Sequence, residues 1–393
     1  MVDLDSLVLV LVTDVNLPME KVDVLIIGGG PAGTSAALSL LNYTNLSVWI
    51  VEQSDLNRLR VGEHVSSSIF NLLDYLKIPK EDLEPESIMP TYGTTSYWGS
   101  PHPAHNHSIF THEGATYQLD RAKFDLKLVE QVAQRGGEVF PRTKCLNFTQ
   151  QENKEWHVTL QHAEKGVFEI NAQYLVDATG RQIHVGRSLG LPLQKMDNLM
   201  GIGMFFQLTD QAQKSALQIL EAAELGWWYA ALLPDNKLVA TFFTDADIIA
   251  AQKLTQPHKW QALLQNTQHI KHKLANAHLM AQKPWVRNAA THILDVAKQE
   301  RFLAVGDAIC AFDPISSMGI GFAITSAFQA ARCIQAQLLN NVPQALSAYN
   351  QDILSIFDQY LKIRQQYYQQ EKRWPDSVFW QRRQALETEE VAL

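Results

Sequence analysis

The chain lacks several things whose absence narrows what it can be. Among 393 residues there are only three cysteines, Cys145, Cys310 and Cys333, an odd number without metal-type spacing. That excludes a disulfide framework and suits a reducing cytoplasm, the location we expect. Basic blocks are missing too: 33 Lys and Arg face 41 Asp and Glu, a formal charge of −8, so nucleic acid is not an expected partner. No hydrophobic run is long enough to cross a bilayer, and no membrane partner is expected. The apolar stretch from Leu7 to Val12 follows Asp3 and Asp5 rather than a basic segment and has no small-residue cleavage site. Residues 1–20 therefore read as an N-terminal extension, frayed or added as an edge strand. His102, His105, His107 and His112 cluster beside Pro101 and Pro103, but four ligands on a flexible loop make a poor site, so we expect a solvated loop and no metal site. Internal repeats and low-complexity tracts are absent.

What is present points to a dinucleotide. The apolar run Val22–Ile27 meets a helical pattern from Pro31 to Leu41 through Gly28-Gly-Gly30-Pro31-Ala32-Gly33, and a second apolar run, Leu46–Val51, closes on Glu52 and Gln53. In such a G-x-G-x-x-G turn the first glycine permits the bend, the second lets a pyrophosphate approach the backbone, and the third packs helix on strand. The pyrophosphate sits on the helix N-terminus. An acid about 20 residues further on bonds the ribose hydroxyls and disfavours a 2′-phosphate. No second fingerprint of this kind occurs for a nicotinamide.

The length exceeds one typical domain. Tyr174–Asp177 and Arg301–Val305 read as further strands of the nucleotide layer, the second leading toward a long apolar-periodic helix, Gly319–Leu339. Between the pieces of this layer, from Val51 onward, Thr94–Gly99, Thr116–Leu119, Leu199–Leu208, Trp227–Leu233 and Lys237–Thr244 are rich in β-branched and aromatic residues, with Pro234-Asp-Asn236 as a hairpin turn. They predict an antiparallel sheet flanked by helices at Lys259–Gln265 and Thr267–His278. The fold class is thus α/β: a discontinuous Rossmann-type nucleotide domain (residues 21–90, 118–190 and 296–342), an inserted β-sheet domain (91–117 and 191–295) and a helical and aromatic tail (343–393).

Three further signals agree with the fingerprint. These are Tyr117-Gln-Leu-Asp120-Arg121, an arginine ahead of a helix; Asp177-Ala178-Thr-Gly180-Arg181, a strand-end turn; and Gly306-Asp307 followed by Pro314-Ile-Ser-Ser317-Met318-Gly319-Ile320-Gly321. Together they resemble the FAD-dependent monooxygenases of the p-hydroxybenzoate hydroxylase fold, in their halogenase-like branch. The resemblance implies FAD as cofactor. It places Arg121 near the flavin's phosphates or ribityl chain, unless it forms a helix-start salt bridge. It gives Asp307 a ribityl hydroxyl, and it sets the loop from Pro314 to Ile320 against the flavin ring, where backbone N–H groups stabilise negative charge. Cys310 reads as a small buried hydrophobe.

The segment Arg58-Leu-Arg60-Val-Gly62-Glu63-His64 resembles the strap that links flavin and substrate sites in halogenases and their relatives. Arg60 and Gly62 are expected at the cofactor. His64, with an ordinary imidazole, is a candidate proton shuttle or a packing and FAD contact. Halogenases carry a lysine shortly after this strap; here Asn71 stands at about that place. Gly226-Trp227-Trp228 only loosely echoes their W-x-W element. The tail Tyr367–Trp380 is similar to that of the LodB/GoxB-type flavoproteins, although Trp374, Phe379 and Trp380 could simply pin a helix. That resemblance implies hydroxylation of an aromatic ring through a flavin C4a-hydroperoxide. The ring would be a free molecule or a tryptophan of a partner oxidase precursor during cysteine tryptophylquinone biogenesis. Reducing equivalents would come from NAD(P)H or a separate reductase. A halogenase or small-molecule reductase of the same fold and a non-enzymatic flavoprotein scaffold are the alternatives.

Overall fold

The computed structural model describes residues 20–56, 60–106, 115–208 and 218–385. Residues 1–19 of the expected N-terminal extension, Arg58, His107 and His112 lie outside these residues, and Glu20 opens the first strand. The chain opens with β1 (Glu20–Ile27), α1 (Pro31–Tyr43) and β2 (Val48–Val51), and β1 and β2 pair in parallel. All of β2 and the apolar run Val24–Ile27 of β1 are buried, as a parallel layer covered on both faces requires. Then come β3 (His64–Val65), α2 (Ile69–Tyr75), β4 (Ile88–Thr91), β5 (Thr94–Tyr97), β6 (Ala104–Asn106), β7 (Thr116–Leu119) and α3 (Arg121–Gln134). The strands β8 (Glu138–Phe140), β9 (Thr143–Gln150), β10 (Trp156–His162) and β11 (Gly166–Asp177) complete most of the first sheet. Its order is β8-β2-β1-β11-β10-β9, and β20 (Phe302–Ala304) adds in parallel to the end of β11.

The short strands β12 (Leu193–Lys195), β19 (His292–Leu294) and β21 (Cys310–Ala311) pair in a small antiparallel sheet. The second large sheet is built from β5, β6, β13 (Leu199–Leu208), β14 (Gln218–Ala223), β15 (Gly226–Leu232), β16 (Lys237–Asp245), β17 (Ala277–Leu279) and β18 (Trp285–Asn288). Its order is β17-β13-β16-β15-β14-β5-β6, with β18 also on β13, and every pair is antiparallel except β14 with β5. Strand period sorts its two faces. Ile202, Met204, Phe206, Trp228, Ala230, Leu238, Ala240 and Phe242 form a core with Trp260 and Leu264 of the helix Pro257–Gln265. The alternate residues Gly201, Trp227, Tyr229, Thr241 and Phe243 line a cavity on the other face.

Two expectations need correction. Thr116–Leu119 is a strand, but it pairs with β3 and β4 in a separate three-stranded sheet rather than joining the large one. The helix expected over Thr267–His278 shrinks to Ile270–Lys273. Its start is fixed by the buried Glu221 carboxylate, which accepts the N–H groups of Gln268, His269 and Ile270 at 2.6, 3.1 and 3.0 Å. Its continuation is lost because Ala277–Leu279 pairs with Phe206–Leu208. Sheet pairing there overrides a helical pattern.

The long helices Gly319–Leu338 and Ala345–Gln369, and the short Val378–Gln384, close the fold. Trp98, Trp227, Tyr368, Phe379 and Trp380 share one buried cluster, and Trp380 Nε1 donates to Ala223 O at 3.0 Å. The tail aromatics therefore pin the helix Val378–Gln384 to the second sheet, and among the described residues of the tail only Tyr367 lines the cavity. No helix among the described residues is long and apolar enough to cross a membrane.

Candidate flavin and substrate site

One cavity of about 1000 Å³ lies between the two sheets. At one end stands the β1–α1 turn. Gly28 has φ +116°, and a Cβ there would lie 2.3 Å from Ala178 O; a Cβ on Gly33 would lie 2.0 Å from Gly28 O. Gly33 and Gly306 thus sit in the packing behind the wall, Gly306 against Ala32, and do not face the cavity. Gly30 differs, since nothing stands within 4 Å of where its Cβ would be. It is the N-cap of α1, with no side-chain cap, so the first amides of the helix are left for a ligand. Pro31, Ala32, Gln53, Ala178 and Gly180 complete this end. Glu52 is held by two backbone amides, Gly29 N–H on Oε2 and Ser54 N–H on Oε1, both at 2.8 Å. That grip keeps the carboxylate fixed at the cavity wall.

The opposite end is built by the loop from Asp313 into the Gly319–Leu338 helix. Pro314, Ser317, Met318, Gly319 and Ile320 line it, and that helix also begins without a side-chain cap. Asp307 stands between the two ends. Arg181, which sequence reasoning did not single out, positions it: Nε donates to Asp307 Oδ2 at 3.1 Å, while the other two nitrogens hold Ala290 O and Phe312 O at 2.7 and 2.6 Å. Two uncapped helix starts at the two ends of one cavity suit a long ligand with a phosphate group at one end and a ring that gains negative charge at the other. FAD fits: the α1 amides would hold the diphosphate, Glu52 a ribose, Asp307 the ribityl chain, and the Pro314–Ile320 segment the ring.

The strap crosses between these ends. Arg121 lines the cavity, but its guanidinium is committed to protein. It forms a bidentate pair with the buried Asp125 at 3.0 and 3.0 Å and donates to Val61 O and Gly62 O at 2.7 and 3.1 Å. Arg60 joins the same carboxylate at 2.9 Å. The helix-start salt bridge is therefore the reading the geometry supports, and Arg121 holds the strap rather than extending toward phosphate. His64 also lines the cavity, but burial lowers its pKa to about 4, so the expectation of an ordinary imidazole is corrected: it is neutral at pH 7. Cys310 is buried, with its thiol pKa pushed well up by burial, as a packed hydrophobe should be.

Glu63 belongs to the strap motif, but its sequence context assigned it no role. It is 4% exposed, lines the cavity, and burial pushes its pKa up to about 7 against the opposing pull of backbone amides and Arg121. Because the folded value lies above the ordinary 4.5, its stabilising contribution is full below about pH 4.5 and is lost as pH rises through about 7. E63Q, which cannot ionise, should match the flavin-free wild type near pH 5 and exceed it at pH 8 by about 3 kcal/mol in denaturant unfolding.

A chain with this cavity belongs to the FAD-dependent oxidoreductases. It matches the family described as FAD binding domain over residues 21–364, and it is a member of that family. Over 368 residues it is 41% identical to the protein of Marinomonas mediterranea to which the name FAD-dependent oxidoreductase LodB is assigned, a match covering 94% of this chain and 98% of that one. Among solved structures it resembles the flavin-dependent halogenase CmlS, with TM-score 0.81, 22% identity, and 95% and 69% of the two chains covered. It also resembles QhpG, a peptidyl tryptophan dihydroxylase essential for tryptophylquinone cofactor biogenesis, with TM-score 0.69, 22% identity, and 95% and 81% covered. These last two show a common fold.

Proposed function

We propose that the chain is a monooxygenase that hydroxylates an aromatic ring, a tryptophan side chain of a partner oxidase precursor during cysteine tryptophylquinone biogenesis. The observation that carries this reading is the wall at the substrate end, which is aromatic and holds no lysine among the described residues. Trp227 stacks on Phe243 at 4.1 Å, with Leu220, Trp285, Ile315 and Tyr367 around them, a surface suited to an electron-rich ring. Lys144 is the one lysine among the cavity-lining residues described, and it is a neighbour of Thr143, whose amide donates to Glu52 O at the adenosine end. Asn71, at the place where halogenases carry their lysine, is exposed and outside the cavity.

A bound flavin supplies the two-electron chemistry with dioxygen, its electrons drawn from NAD(P)H or a separate reductase. This chain's residues supply position and exclusion. The buried aromatic wall keeps water from the reacting ring, and the amides at the start of the Gly319–Leu338 helix favour negative charge at the flavin-ring end. The 41% identity to LodB over nearly the whole chain and the fold shared with QhpG support the choice of a protein-borne tryptophan. The test is to incubate the reduced, FAD-loaded protein with dioxygen, bromide and an oxidase precursor, and then to map the precursor by mass spectrometry. Gain of oxygen on a tryptophan peptide supports the reading. Bromine incorporation would establish the halogenase alternative, and an unmodified precursor would leave the scaffold. N71A should hydroxylate at the wild-type rate within about twofold, because its surface position carries no contact to the site.

A further inference from the structure

Glu63 and His64 are adjacent in the strap, both line the cavity, and each keeps a buried side-chain atom without a partner, Glu63 Oε1 and His64 Nδ1. Their polar surroundings decide what each can do. Gln218 Oε1 accepts from Gln118 Nε2 at 3.1 Å and from the Tyr229 hydroxyl at 3.4 Å, which fixes its amide so that Nε2 is the donor. That nitrogen donates to Thr94 Oγ1 and toward His64 Nε2 at 3.4 Å. The lone pair of the neutral His64 ring is therefore engaged by Gln218, and Nδ1 carries the hydrogen. His64 faces the cavity as a donor and has no free site for a proton. Tyr229 is half-buried, and loss of water around its hydroxyl pushes the phenol pKa far up, so it too only donates near neutrality. Arg121, the cation felt by both Glu63 and Asp307, is spent on Asp125 and the strap carbonyls. Asp307 is held from the far side by Arg181. Among the described residues that face Glu63 from the strap, α3 and β15, the neutral His64 ring, the Tyr229 phenol and the committed Arg121 guanidinium offer no acceptor for a proton.

We propose that Glu63 is the catalytic base of this cavity, its carboxylate accepting the proton that a substrate ring carbon loses after oxygen has been attached to it. The proposal rests on the hydroxylase reading. Dioxygen provides the oxygen atom, a two-electron reductant is consumed, and the second oxygen leaves as water. At the oxygenated carbon the C–H bond breaks, its electron pair returns to the ring, and an O–H bond forms at the Glu63 carboxylate. The proton passes to water when product leaves. Titration near neutrality is what a base needs in order to be both ionised and strong enough to accept a proton. His64 Nδ1–H beside it would donate to the new hydroxyl oxygen.

The test compares FAD-loaded wild type, E63Q and E63D on a precursor protein carrying ring-deuterated tryptophan. E63Q should bind FAD in the same stoichiometry and melt at the same temperature at pH 5. Its turnover should fall at least ~100-fold, with the apparent affinity for precursor unchanged. A primary isotope effect absent from the wild type should emerge as proton loss becomes limiting. E63D should recover part of the rate, and the rise of the wild-type rate through about pH 7 should vanish in E63Q. Turnover of E63Q within about threefold of wild type, with the same pH profile and no isotope effect, would overturn the proposal while hydroxylation stands. Loss of FAD from E63Q would reassign Glu63 to cofactor binding. A wild-type protein that adds no oxygen would remove the hydroxylase reading itself, and this proposal with it.

Discussion

Replacing Gly30 with aspartate should strip the flavin from the protein and leave the fold intact. Position 30 has extended backbone with φ −78° and ψ −177°, which any residue adopts, and a Cβ there meets nothing within 4 Å. Aspartate is a favoured N-cap residue, so it should cap α1 and stabilise the apoprotein by roughly a few tenths of a kcal/mol over glycine. The same carboxylate would occupy the amides that the diphosphate needs and repel its charge. We expect FAD affinity to fall at least ~100-fold, about 3 kcal/mol, with melting temperature of the apoprotein unchanged or slightly raised. G33V should behave in the opposite way, failing to fold, because its Cβ would lie 2.0 Å from Gly28 O. Bound flavin per protein by absorbance, together with thermal unfolding, separates the two. A G30D protein that keeps its flavin would show that the phosphate site lies elsewhere.

The second large effect is expected at Asp313, which joins the ring-end loop to the C-terminal helix. Its carboxylate is fully buried and caps the Pro314–Ser316 turn through Ile315 N–H at 3.1 Å. It also accepts the Tyr368 hydroxyl at 2.7 Å and lies 3.7 Å from Arg364 Nε, while the Tyr360 hydroxyl accepts the Asp313 N–H at 2.7 Å. Burial raises its pKa, opposed by Arg364. D313A would leave the Tyr368 hydroxyl and part of the Arg364 charge buried without their partner, a change that typically costs about 3–5 kcal/mol. Urea unfolding should show that loss, and the flavin should bind more weakly because the loop at its ring end is no longer braced. D313N, which keeps the shape and the bond from Ile315, should be the milder of the two.

Much of the nucleotide end was legible because its chemistry is local. Gly28, Gly30 and Gly33 act on neighbours within a few residues or on the adjoining strand, and Glu52 follows from strand length. The strands β13, β15 and β16 were legible from their β-branched and aromatic content, sustained over 7 to 10 residues; which residues face the cavity emerges only from the pairing. Thr116–Leu119 was misplaced for the converse reason: four residues specify a strand but not which sheet edge will receive it. Arg181 and Glu63 were hidden because their roles depend on partners far along the chain. Arg181 acts through Asp307, Ala290 and Phe312, and Glu63 acquires its character from burial beneath Arg121 and Tyr229. A sequence shows a glutamate in a strap; only the packing shows a carboxyl poised near neutrality.

The proposed reaction requires one cavity to serve both the flavin and the ring it acts on. A crystal structure of the FAD-loaded protein tests that most directly. The diphosphate should lie on the α1 amides at Gly30, the ribose against Glu52, and the flavin ring against Gly319 and Ile320, with open space between that ring and the Trp227–Phe243 wall. A flavin ring found outside this cavity, or filling the space before that wall, would contradict it.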